Sequence, residues 1–253
     1  MEIIDAYAHC GLSKYEPIEK VREAMATGGV SRAVLVQHLG EFDNSYIRSV
    51  VASDPEHFAG VLLIDHTVEN AAETLAGWVA SRSFQGLRLT SEALLANPDL
   101  FSLAGDLGLA IVLYTPQGVL PILPRLQQSL QSAPFTRLVI THLGNPTLIG
   151  SDLDESANAV LELARFSNVY LQLSGMTMFC PYPHEPLYPL IERAVGVFGA
   201  RRIIWGSNYP VVGSQQDYVA DLRLLLEGRL PVPGDAINQI AGENAKRLWF
   251  DRN

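Results

Sequence analysis

Short apolar runs recur along the whole chain, each followed by a stretch of helical length. Eight strand-like runs are legible, at 3–9, 33–37, 60–64, 86–89, 110–114, 138–141, 169–173 and 203–205. They are rich in Val, Ile and Leu and nearly continuous in hydrophobicity, as parallel strands covered on both faces are. Between them apolar residues return at helical spacing, as in Leu187, Leu190, Ile191, Ala194, Val195 and Phe198. Asn97 and Pro98 read as the N-cap and first turn of one such helix. Eight alternations in 253 residues predict an α/β chain folded as a (β/α)8 TIM barrel, one domain over 1–253. A doubly wound open sheet is the rival. Its glycine-rich phosphate loop is missing: the chain has no G-x-G-x-x-G and no Walker motif.

Composition narrows the partners. The net charge is −9 and no basic block stands out, so a nucleic-acid or acidic-membrane surface is not expected. No apolar run reaches the ~18 residues of a membrane span, and the first residues do not read as a signal peptide. Two cysteines, Cys10 and Cys180, suit a reducing cytosol. A cytoplasmic enzyme with a small-molecule substrate is the expectation, with homo-oligomerisation left open.

In a barrel the reactive groups sit at the C-terminal strand ends. Four of the six histidines fall there: His9, His38, His66 and His142. His57 reads as a structural residue of a turn, and His184 in the Pro-rich segment 180–189 stays open. Asp5, Tyr7 and His9 alternate along the first strand, which puts them on one side. Arg88 lies within the fourth run, where an inward arginine needs an anion: a substrate carboxylate or phosphate, or an internal salt bridge. Tyr114, Ser174 and Asn208 end or follow runs five, seven and eight. The segments 144–152 and 180–189 are candidate lids or site walls.

The pieces Ile4-Asp5-Ala6-Tyr7-Ala8-His9, Gly86-Leu87-Arg88, Thr141-His142-Leu143-Gly144, Leu173-Ser174-Gly175, Trp205-Gly206-Ser207-Asn208-Tyr209-Pro210 and Gly242-Glu243-Asn244 occur in order at barrel spacing. Together they resemble the amidohydrolase-related family, in its lactonase-like branch of 2-pyrone-4,6-dicarboxylate and sugar lactonases. The resemblance implies a hydrolase. It also implies a first-strand His-x-His and an eighth-strand Asp that hold a divalent metal. Tyr7 and Asn208 stand at two of those places. A tyrosine and a carboxamide replace a histidine and a carboxylate poorly, so the metal site looks dismantled and zinc is disfavoured as a cofactor.

The expected chemistry is therefore metal-independent cleavage of a lactone, or a similar ester or amide bond, in a small carboxylated molecule. His9 is the expected base and His142 the carbonyl polariser. Tyr7 donates or orients, and Asn208 positions water or substrate. Arg88, Tyr114, His38, His66 and Ser174 would bind substrate. Cys10 points away from His9, so a Cys–His nucleophile is not expected. Glu41, Asp43 and Asp65 are alternative bases that read more simply as solvated loop charges. A decarboxylase on the same scaffold and a non-catalytic binding relative remain the other readings.

Overall fold

The structure is a computed structural model and describes residues 1–148 and 152–251. Its strands are β1 (Ile4–Ala8), β2 (Arg32–Val36), β3 (Phe58–Leu62), β4 (Phe84–Thr90), β5 (Ala110–Tyr114), β6 (Leu138–Ile140), β7 (Val169–Leu173) and β8 (Ile203–Trp205). They form one sheet in sequence order, each strand parallel to the next. The two ends of the sheet meet just beyond β8. Asn208 N donates to Tyr7 O and His9 N donates to Tyr209 O, both at 2.8 Å. These two bonds close the (β/α)8 barrel and bring the residues after β8 against the end of β1.

Strand alternation divides the core in two. Ile4, Val34, Val36, Val61, Val112, Val139 and Ile204 point inward and form one cluster with Trp249. That tryptophan ends the last helix, Asn244–Trp249. The outward residues Leu35, Leu62, Leu87, Leu113, Leu171 and Trp205 meet the helical layer. Helices α1 (Ile18–Gly28), α2 (Ser45–Ser53), α3 (Ala71–Val79), α4 (Ser91–Ala96), α5 (Asp99–Asp106), α6 (Leu123–Ser132), α7 (Asp152–Glu162), α8 (Tyr188–Phe198) and α9 (Gln215–Leu226) make that layer, while α10 (Asn244–Trp249) belongs with the inner cluster. The N-terminus of α9 is held by a capping box in which Ser214 and Asp217 satisfy each other's backbone N–H.

Two local readings need correction. Asn97 is not an N-cap; it ends the short helix α4, whose own cap is Thr90 accepting from Ala93 N. β3 begins at Phe58 and not at Gly60, so it finishes two residues earlier than its apolar run. Of the segment 144–152 expected as a site wall, residues 149–151 lie outside the described residues. No helix among the described residues is long and apolar enough to cross a membrane.

Candidate active site

A cavity of about 130 Å³ opens at the C-terminal ends of the strands. His9, Arg88, Tyr114, His142 and Asn208 line it, as the sequence led us to expect. Lys14, Tyr15, Leu39, Met178 and Val211 line it too and were not foreseen. Their signal was weak because four of them sit in loops or turns and Met178 in a three-residue 3-10 helix, where no strand period marks a direction.

His9 follows directly on β1. Its Nδ1 lies 2.6 Å from Val36 O. A carbonyl only accepts, so Nδ1 carries the proton and Nε2 keeps a free lone pair. Burial first, and the Arg88 charge second, hold its pKa well below the usual histidine range.

His142 is neutral for the same two reasons, with its pKa lowered to about 3. Its Nδ1 and backbone N lie 2.9 and 3.2 Å from Ser174 Oγ. Gln172 Nε2 donates to Ala6 O, which turns Oε1 toward Ser174 to accept the hydroxyl proton at 3.3 Å. Ser174 therefore accepts from His142 Nδ1–H, and Nε2 of His142 is again bare. A ring in that state accepts protons and does not donate one, so it is not suited to polarise a carbonyl. Ser174, expected to bind substrate, stands behind His142 and fixes its tautomer. Gly175 makes room for this arrangement: its φ is +61° and a Cβ there would come within 2.7 Å of His142 Nδ1. Replacing Ser174 with alanine should lower kcat by about fivefold while moving KM little, read on one lactone, because a lost hydrogen bond of ~1 kcal/mol frees the ring.

Tyr7 is fully buried beneath the two imidazoles. Its ring meets His9 edge-on at 5.0 Å and His142 at 4.8 Å. It does not line the cavity, and its hydroxyl, kept protonated by burial, has no partner among the described residues. The geometry fits an orienting group. Gly206 lets β8 approach it, since a Cβ there would lie 2.8 Å from Tyr7 Cβ.

Arg88 points into the barrel and is only 5% exposed. Nη1 donates to Gln37 O at 2.7 Å, whereas Nε has no partner among the described residues. Its guanidinium lies 5.9 Å from the Tyr7 ring and 5.4 Å from that of Tyr114. Among the described residues no carboxylate pairs with it. Of the two partners open in the sequence, the internal salt bridge is thus not made.

Asn208 sits at φ +60° beyond β8, and among the described residues its Nδ2 hydrogen-bonds only Met178 S, at 3.4 Å. That leaves an amide donor facing the cavity.

Asp5 does not share a side with Tyr7. The register slips between Asp5 and Ala8. The carboxylate takes hydrogen bonds from Ser207 N at 2.8 Å and Ser207 Oγ at 2.6 Å, near Tyr218 of α9. It anchors the turn that presents Asn208. Burial pushes its pKa up to about 6.

These buried groups set opposing pH dependences. His142 contributes stability above pH ~6.5 that is lost as pH falls toward 3, about 5 kcal/mol in full. Asp5, with its pKa raised, contributes fully below pH ~4 and loses about 3 kcal/mol as pH rises through 6. Between pH 6 and 4 the two offset each other. Asp5→Asn should therefore steepen the acid loss of stability by about 1.4 kcal/mol per pH unit in that window, measured by urea unfolding.

The remaining candidates fall elsewhere. His38 is buried but lines a neighbouring cavity, across Tyr15. His66 is absent from the cavity lining, because the early end of β3 leaves it four residues beyond the strand. His57 pairs with Asp54 on the surface at 2.6 Å. His184 is buried, bound to Asp221 at 2.9 Å and to Cys180 O at 3.0 Å, and ties its loop to α9. Asp65 is turned to Thr67, Asp43 to Ser45 N and Glu41 to Asp43 N. Each acts within its own loop. Cys10 packs in the outer core with its thiol pushed up to about 12, so it is no nucleophile.

The amidohydrolase family model matches residues 5–250. The chain belongs to the amidohydrolase family. Over 224 residues it is 30% identical to L-fucono-1,5-lactonase of Burkholderia ambifaria, a match spanning 83% of this chain and 73% of that one. Solved structures share the fold. One is an amidohydrolase from Burkholderia multivorans with bound zinc (TM-score 0.79, 18% identity, 98% of this chain and 99% of that one). Another is a candidate 2-pyrone-4,6-dicarboxylic acid hydrolase from Pseudomonas putida (TM-score 0.77, 22% identity, 100% and 99%).

Proposed function

We propose that this amidohydrolase-family protein hydrolyses a lactone of a small carboxylated molecule, without a resident metal. The observation that carries this is Arg88, a buried cation whose Nε and charge find no hydrogen-bond or acidic partner among the described residues, beside two neutral imidazoles. An unpaired buried charge is costly, so a ligand anion is its natural counterpart. The lactonase relative supports the choice of bond.

The donor set does not fit a tightly held dication. Among the described residues no three of His, Cys, Asp and Glu are grouped to hold one. Tyr7 stays protonated, Asn208 is neutral, and the Arg88 charge repels a cation. No step is therefore routed through a metal.

The substrate carboxylate pairs with Arg88. Water attacks the lactone carbonyl as His9 Nε2 takes its proton. The oxyanion is met by the remaining guanidinium N–H groups and by Asn208 Nδ2. His142 Nε2 accepts a hydrogen bond from the water or from a substrate hydroxyl. On collapse the ring C–O bond breaks, and the imidazolium of His9 returns the proton to the leaving alkoxide. His9 is a weak base in the free protein because it is buried and, second, because Arg88 is charged beside it. A bound carboxylate cancels that charge and raises the basicity when it is needed.

A panel of carboxylated and uncarboxylated lactones, followed by acid release, tests the reading. Turnover confined to the carboxylated members is expected. Turnover of none, or equal turnover of both kinds, contradicts it.

A further inference from the structure

The reactive cavity, at about 130 Å³, is smaller than the ~300 Å³ at which small-molecule pockets commonly begin. A second cavity of about 240 Å³ adjoins it. One ring of the first lining, Tyr15, touches a ring of the second, His38. Tyr15 stacks on His9, which lines the first cavity, at 4.9 Å and 12°. It meets His38, which lines the second, edge-on at 5.3 Å and 86°.

Tyr15 is lightly held. It is half-buried, touched by Lys14 Nζ at 5.5 Å, and its hydroxyl makes no hydrogen bond to a described residue. It rides on a short exposed loop closed by Gly11 N donating to Glu16 O at 3.0 Å.

We infer that Tyr15 sets the size limit of the substrate: turning its ring aside joins the two cavities, and the second receives the part remote from the cleaved bond. The inference rests on the hydrolase reading above. Gln37, His38, Glu41 and Asp43 line the second cavity. Carboxylates there repel a second anion and accept from hydroxyls, so an uncharged hydroxyl-bearing tail fits and a carboxylated tail does not.

The test compares kcat/KM for a carboxylated lactone bearing a hydroxyalkyl tail with that for the same ring without the tail. Tyr15→Ala should raise this ratio by about tenfold, as the gain of space for one or two groups allows. Tyr15→Phe keeps the wall and the ratio. Ser13→Trp, crowding the second cavity from its rim, lowers it. A ratio unmoved in folded Tyr15→Ala overturns the inference. If the natural chain turns over neither lactone, the hydrolase reading falls, and the wall is judged without substrate. The readout is then the rate at which diethyl pyrocarbonate modifies His9, mapped by peptide mass. Faster modification in Tyr15→Ala upholds the wall, and equal rates overturn it.

Discussion

Arg88→Met should lower kcat/KM for a carboxylated lactone by about 10²–10³-fold, what losing a desolvated charge pair of ~3–4 kcal/mol costs. It should at the same time raise stability. The guanidinium is buried with one protein acceptor, Gln37 O, and an orphaned Nε. Methionine fills similar volume without a charge to desolvate. The gain should be about 1–2 kcal/mol after allowing for the unpaired Gln37 carbonyl, or about 2–6 °C in Tm. Steady-state kinetics and thermal unfolding of the one variant measure both. A structural arginine would behave oppositely, losing stability as activity fell.

His9→Gln should cost about 10²–10⁴-fold in kcat, the range for a general base, with little change in KM. The pH profile of the natural chain gives the sharper expectation. In the free protein burial and Arg88 hold His9 well below its ordinary range, so kcat/KM should keep its plateau well below pH ~6.5. With substrate bound the Arg88 charge is neutralised, and the acid limb of kcat should move upward. His9→Gln should remove that limb. A limb of kcat at or below that of kcat/KM would contradict the proposed coupling.

How much of this was legible follows from what strand period records. Arg88, Tyr114, His142 and Asn208 converge because each occupies the inner face or the end of its own parallel strand, and apolar runs mark those ends. His66 misled because an apolar run is not a strand: Leu63 and Ile64 continue the hydrophobic run past the end of β3 at Leu62. Asp5 misled because alternation assumes an unbroken register, and β1 slips after it. Ser174 was visible as a polar strand end, but only the Gln172–Ser174–His142 chain of hydrogen bonds turns it into a support for an imidazole. Tyr15 could not be read at all. Its stack on His9 depends on a loop that folds back over the barrel mouth, and nothing local in sequence encodes such a return.

The most direct test is the rate of acid release from a carboxylated lactone by protein stripped with chelator and shown by elemental analysis to be metal-free. The account predicts undiminished turnover in that protein, and its near-loss in metal-free Arg88→Met. Turnover that vanishes with the metal and returns with added zinc would contradict it.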